Sequence, residues 1–255
     1  MLKLILSLLL VAAMNAAAQN SSIKFQSAQE QTALLELYTS EGCSSCPPAE
    51  AWLSHLHDSP GLWKDFVPVA FHVDYWNHLG WKDPWSDVTF SERQQAYAQL
   101  WHSDNIYTPE FALDGVEWHD WIAGKNSLRP STKTTGILTV SSLDGNIWQA
   151  SFVPERPGSA NYEIHAALLA GGIISEVKAG ENRGRSLNHD FVVLKLVQIK
   201  MKTSNGLAKG KFILTMPRTN NFNTLAMAAW VTSAGELKAI QATGGWLIPP
   251  AKKQL

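Results

Sequence analysis

Apolar and polar positions alternate over Ala33–Thr39, with Leu35, Leu37 and Thr39 set against Glu36 and Tyr38, and this period of two predicts a strand. Glu41-Gly42 ends it, and Pro47–His57 follows with helical spacing, Leu53 and Leu56 on one face. Val67–Trp76 is a largely apolar run that predicts a second, buried strand, with His72 and Asp74 on a shared face. Ser91–Trp101 is rich in helix formers, with Thr89 or Ser91 as the cap. Asp114-Gly115, between two apolar segments, predicts a hairpin, and Asp120–Leu128 a short helix. From Gly136 the pattern changes. Gly136–Ser142, Ile147–Val153, Tyr162–Ala170, Ile173–Lys178, Phe191–Lys200, Leu207–Met216, Leu225–Val231 and Leu237–Thr243 all have strand character. Turn dipeptides separate them: Asp144-Gly145, Pro157-Gly158, Gly171-Gly172, Asn205-Gly206 and Ala234-Gly235. Eight short strands so spaced predict an antiparallel sandwich or barrel.

This division implies four parts: a leader over 1–18, a flexible polar lead-in over 19–31, an α/β domain over 32–130, and a β-sandwich domain over 131–255, with Arg129–Thr135 as the linker. The leader is Lys3, an apolar run from Leu4 to Ala13, and Ala16-Ala17-Ala18, the layout of a secretory signal peptide cleaved after Ala18. The run is too short for a membrane span, which needs about twenty apolar residues. Export places the chain in the bacterial periplasm or outside the cell, where disulfides persist.

The formal net charge is −1, and no basic patch points to nucleic acid or to an anionic membrane. Nucleotide-loop, nucleophile-elbow and zincin motifs are absent from the sequence. Tryptophan is over-used: eleven in all, eight of them from Trp52 to Trp121.

The chain holds two cysteines, Cys43 and Cys46, between the first strand and the first helix. A thiol at a helix N-terminus gains from unpaired N–H groups and the helix dipole, and a second thiol one turn on can close a disulfide with it. A structural disulfide or half of a metal site are the alternatives. So short a loop stabilises little, and a structural zinc site wants two more soft ligands. The spacing therefore points to a redox-active pair. The prolines at 47 and 48 suit the first helical turn and leave the cysteines on the turn leading in.

Strand, Cys43-x-x-Cys46, helix, strand, helix, then Thr108-Pro109 before a hairpin resembles the thioredoxin fold. The chain is similar to a secreted thioredoxin-like family catalogued as domain of unknown function 1223. The shared blocks are Glu36 to Glu50 around the cysteines, Phe71 to Trp76 with Leu79 to Pro84, Tyr107-Thr108-Pro109, and Gly180-Glu-Asn-Arg-Gly-Arg185. The resemblance implies an α/β thioredoxin-like domain followed by an all-β antiparallel sandwich domain. It implies a cis Pro109 against the cysteines, and Glu36 as a buried proton acceptor for the second thiol. The thioredoxin Trp-Cys-Gly-Pro-Cys is missing, and Glu41 precedes the first cysteine, where a carboxylate opposes a thiolate.

The expected activity is thiol–disulfide exchange on protein thiols or disulfides of the envelope, with no cofactor beyond the Cys43–Cys46 disulfide. Cys43, nearer the loop surface, is the expected nucleophile and Cys46 the resolving thiol. Thr108, Trp76, Trp81 and Trp85 are expected to line a substrate groove, while Trp52, Trp63 and Trp101 pack. The alternatives are a copper-handling module, in which His72 (or His78) joins Cys43 and Cys46, and a partner-binding module. His72 and Asp74 can instead pair with each other. Arg183, Arg185 and His189 sit in the long interruption Ala179–Asp190, where they dock on the first domain, bind an anion or stay solvated.

Overall fold

The strand Phe66–His72 is buried at every position, and such a strand needs hydrogen-bonding partners on both edges as well as cover on both faces. Its two partners decide the architecture. The computed structural model describes residues 22–123, 128–156, 160–217 and 221–251. In chain order its elements are β1 (Lys24–Gln26), β2 (Ala33–Thr39), α1 (Pro47–Ser54), β3 (Phe66–His72), α2 (Val88–Leu100), β4 (Glu110–Leu113) and β5 (Val116–Glu117). These are followed by β6 (Gly136–Asp144), β7 (Ile147–Pro154), β8 (Tyr162–Gly171), β9 (Ile173–Glu176), β10 (Ser186–His189) and β11 (Val192–Lys200). The chain closes with β12 (Lys202–Ser204), β13 (Leu207–Ile213), β14 (Thr224–Ser233) and β15 (Gln241–Ile248).

On one edge β3 pairs in parallel with β2. On the other it meets β11, where Val192 faces Ala70 and Ala70 N donates to Phe191 O at 2.8 Å. One mixed eight-stranded sheet results, in the order β15-β14-β8-β11-β3-β2-β4-β5. A five-stranded antiparallel sheet, β1-β6-β7-β13-β12, covers part of one face. This corrects the expected fold class. The molecule is mostly β-sheet with two α-helices among the described residues, and an α/β thioredoxin-like fold followed by a separate sandwich is not what forms. The strands assigned to a second domain complete the sheet that carries the cysteines. The physical cause is the second edge of β3, which local patterning leaves open and β11 fills.

β8 and β14 show how one sheet serves two cores. Both are buried along their whole length except for Ser233, so their alternating side chains face opposite layers. Ala167, Leu169, Ala226, Ala228 and Trp230 join the larger core, which also holds Phe66, Phe71 and Tyr97. Ile164, Ala166, Leu168, Met227, Ala229 and Val231 meet Leu138, Val140, Trp148, Phe152 and Phe212 of the smaller sheet.

Several local expectations shift. Residues 24–26, inside the expected lead-in, pair with β6 as β1. α2 is capped by Asp87, whose side chain accepts from Thr89 N at 2.9 Å. Asp120–Ala123 is a single 3-10 turn, and the last strand starts at Gln241 rather than Leu237. The leader over 1–18 and the Pro157-Gly158 turn lie outside the described residues. Among the described residues no helix is long and apolar enough to cross a membrane.

Candidate functional site

β2 delivers the chain to the site at Thr39. The turn after it is tied by Cys43 N donating to Ser40 O at 3.1 Å and Cys46 N to Cys43 O at 3.2 Å. α1 then starts at Pro47 with Cys46 as its N-cap residue and prolines in the first positions, where missing N–H groups cost nothing. Both cysteines are free thiols. Both are also buried, Cys43 at 1% exposure and Cys46 at 0%, so Cys43 does not stand at the loop surface as expected. Cys43 Sγ lies 3.2 Å from Ser45 Oγ and 3.6 Å from the carbonyl oxygen of Thr108. The Thr108–Pro109 peptide bond is cis. Trp76 Nε1 donates to Thr108 Oγ1 at 2.8 Å, and a Cβ at Gly42 would lie 2.9 Å from Trp76 Cβ, so the indole is pressed against the cysteine turn.

The two thiols differ in acidity. The Cys46 thiol beside it holds Cys43 down to about 6 against the opposing effect of burial, with help from Ser45 and Thr108. Burial pushes Cys46 well above the ordinary thiol range, and the negative charge on Cys43 pushes the same way. Glu41, which the sequence sets beside the thiolate, turns away: Trp81 Nε1 donates to its Oε2 at 2.6 Å.

Behind Cys46 lies a buried polar cluster. Thr39, in hydrogen-bond contact with Cys46, donates from Oγ1 to Glu50 Oε1 at 2.5 Å. The other oxygen of Glu50 meets His189 Nδ1. His189 Nε2 is 3.2 Å from Glu41 Oε1 without being aligned for a hydrogen bond. His72 Nδ1 lies 2.7 Å from Asp83 Oδ2, and its Nε2 has no hydrogen-bond partner. Burial would lower His189, but Glu50 and Glu41 raise it to about 10. Asp83 raises His72 against the same effect of burial. Burial alone would raise Glu50, yet the charge on His189 leaves it below the usual carboxylate range.

The expected site residues fare unequally. Cys43, Cys46, Thr108 and Pro109 come together with Trp76. Glu36 does not join them. It points to the opposite face of β2, where Arg93 Nε and Nη2 donate to it at 2.7 and 3.1 Å. The pleat is the reason: Glu36 and Thr39 are three apart and so face opposite sides. Trp81 braces Glu41, whereas Trp85 packs with Ala170, Ile173 and Val192 and lines a separate pocket with Phe90 and Phe222. Trp52 packs on Phe111, Trp63 on Trp246 and Trp101 on Tyr97. His72 takes Asp83 rather than Asp74, whose Oδ1 accepts from Ser91 at 2.5 Å. His78 is exposed, with Nδ1 2.7 Å from Tyr75 O. Arg183 and Arg185 are exposed as well, although Arg185 reaches back to Asn182 Oδ1 at 2.7 Å.

Five residues escaped the sequence reading. Glu50 had a signal, since it stands four after Cys46 on a helix and therefore on the same face. Asp83 lies inside the Leu79–Pro84 block. Asn182, in the Gly180–Arg185 motif, clamps the turn by donating to Glu41 O at 2.9 Å and Cys43 O at 2.8 Å. Glu181 beside it accepts from Ser44 N at 2.9 Å. Glu110, next to Pro109 and joined to Gln94, is pushed up to about 7 by burial.

Comparison with solved structures finds the same fold in two proteins. Protein AGR_C_4864 from Agrobacterium tumefaciens superposes with a TM-score of 0.59 at 19% identity, over 89% of this chain and 98% of that one. HBP35 of Porphyromonas gingivalis gives a TM-score of 0.54 at 16% identity, over 90% of this chain and 80% of that one. No curated protein matches the sequence. The model of the family described as protein of unknown function DUF1223 matches residues 34–232, and the chain belongs to that family.

Proposed function

We propose that the protein exchanges thiols and disulfides with protein partners of the bacterial envelope, after export by the 1–18 leader. One arrangement carries this reading: two free thiols leading into α1, with Cys43 Sγ 3.2 Å from Ser45 Oγ and 3.6 Å from the carbonyl of Thr108, in which Cys43 is held down to about 6 and burial pushes Cys46 well above the ordinary range. The thiolate is the attacking species, so Cys43 reacts first at neutral pH. Its sulfur attacks one sulfur of a partner disulfide, the partner's S–S bond breaks, and a partner thiolate leaves. Cys46 then gives up its proton and attacks Cys43. The mixed disulfide breaks, Cys43–Cys46 closes, and two electrons have passed to the partner. Run backwards, the same steps oxidise a dithiol. Because Cys43 is 1% exposed, with Ser45 Oγ and the carbonyl of Thr108 against its sulfur, a partner reaches it only after a local rearrangement.

The test is covalent trapping in the exporting host. Cys46→Ser should accumulate mixed disulfides with envelope proteins, and Cys43→Ser should accumulate none. Equal yields from the two variants, or no adduct from either, would sink the proposal.

A further inference from the structure

The cluster behind Cys46 has the composition of a metal centre, and it is distinct from the cysteine pair. We propose that Glu50, His72 and His189 bind a divalent first-row transition ion of the zinc class. Their ligand atoms lie within 4.8 Å of one another, all three residues are buried, and neither cysteine belongs to the group. Ligands about 2.1 Å from an ion stand roughly 3.4 Å apart in a tetrahedron, so the widest gap must close by about 1.4 Å, while Glu50 Oε2 and His189 Nδ1, now in direct contact, must part to admit the ion.

Two further features point to a cation rather than to an internal ion-pair network, and a third is compatible with one. The first is His72 itself. It is 1% exposed, and its Nε2 has no hydrogen-bond partner. A buried nitrogen so left is costly, and coordination to an ion would use it. The second is the outer shell. Each imidazole has a carboxylate at the nitrogen it does not offer to the ion, Asp83 Oδ2 at 2.7 Å from His72 Nδ1 and Glu41 Oε1 at 3.2 Å from His189 Nε2. Carboxylates in that place orient metal-bound histidines and raise their basicity. Thr39 fixes the remaining oxygen of Glu50. The third is charge. Glu41, Glu50 and Asp83 surround two histidines, and one divalent ion with neutral imidazoles leaves the same buried charge as two imidazoliums.

Two imidazoles and a carboxylate suit zinc and its neighbours. Magnesium and calcium prefer all-oxygen sites, and copper(I) prefers sulfur. Glu50 also lines a cleft of about 500 Å³ between α1 and β10, with Pro47, Ser186, Asn188 and Asp190 on its walls. The site does not depend on disulfide exchange, although Thr39 places it one hydrogen bond from Cys46.

The experiment uses the untagged full chain, stripped with a chelator and titrated with zinc by calorimetry. One equivalent should bind to wild type and equally to the Cys43→Ser/Cys46→Ser double variant. It should be lost in His72→Gln and in His189→Gln. Should the histidine variants not fold, cobalt(II) in wild type decides alone. Visible ligand-field bands with no thiolate-to-cobalt charge transfer support the site. Absence of stoichiometric binding, a sulfur charge-transfer band, or unchanged zinc binding by folded His72→Gln would each overturn it. None of these outcomes bears on the trapping of mixed disulfides, so the two proposals fail separately.

Discussion

β2 carries two buried clusters of charge on its opposite faces, and they are built to different ends. On the α2 face Glu36 accepts from Arg93 Nε (2.7 Å), Arg93 Nη2 (3.1 Å), Tyr38 (3.1 Å) and Tyr97 (2.5 Å). The guanidinium of Arg93 also sits over the rings of Phe71, Tyr97 and Trp230. Its charge is matched and its geometry closed. On the α1 face Glu41 Oε1, His72 Nε2 and His189 Nε2 are buried without hydrogen bonds, and the cluster abuts a thiol. Buried polar groups are normally satisfied, so the difference separates a cluster that holds the fold from one that keeps capacity for something else.

Breaking the closed cluster should have the largest effect. Arg93→Leu strands a buried carboxylate, and removal of one member of a buried pair costs about 3–5 kcal/mol. That is about a fifth or more of a typical domain's stability. Urea unfolding at pH 7 should register the loss, and Glu36→Gln combined with Arg93→Leu should recover most of it. A loss below about 1 kcal/mol would mean that Glu36 is not held by charge at all.

Thr39→Val probes the open cluster with almost no change of shape. Glu50 Oε1 loses a hydrogen bond to a charged acceptor, worth about 1.5–3 kcal/mol. Cys46 loses the same hydroxyl, so the mixed disulfide on Cys43 should also live longer before Cys46 resolves it. Arg93→Leu should leave that lifetime unchanged in the fraction that folds. An unaltered lifetime in Thr39→Val would break the link between this face and the chemistry.

The acidity of Cys43 gives a pH test. With a value of about 6, the thiolate forms as pH rises through that point and is lost below it. Alkylation of Cys43 should therefore rise roughly tenfold between pH 5 and pH 7 and level off above, whereas an ordinary thiol near 8.5 would still be climbing. A midpoint above pH 8 would remove the asymmetry between the thiols.

Much of the site was legible before the fold was known. Cys43 and Cys46 announce themselves by spacing and residue type, Thr108-Pro109 only through the family resemblance, and most strands by alternation and turn dipeptides. Glu36 misled because its place before the cysteines says nothing about which face of β2 it takes, although strict alternation from Thr39 excludes the cysteine side. Glu50 was within reach, four residues after Cys46 on a helix. His189 came from an interruption more than a hundred residues away, and no local pattern joins it to Glu50. The joining of the two halves into one sheet was equally hidden. Whether β3 stops at an edge or finds β11 depends on a pairing between Ala70 and Val192, and side-chain periodicity in either segment is silent on it.

The smallest effects sharpen the contrast most, because they compare equal losses on the two faces. Tyr38→Phe removes one hydroxyl from Glu36, which keeps its other donors. Trp76→Phe removes one N–H from Thr108 Oγ1 while an aromatic ring still packs on the cysteine turn. Each costs about 1 kcal/mol by the usual worth of a hydrogen bond. Their chemical consequences should diverge. The side chain of Thr108 helps to hold the Cys43 thiol down and Trp76 fixes its hydroxyl, so slackening Thr108 should move the alkylation midpoint of Trp76→Phe upward. Tyr38 faces away from both sulfurs, and its variant should keep the wild-type midpoint at the same loss of stability. If Tyr38→Phe moves the midpoint as far as Trp76→Phe does, the two faces of β2 are not independent, and closure of a polar cluster is no guide here to which one serves chemistry.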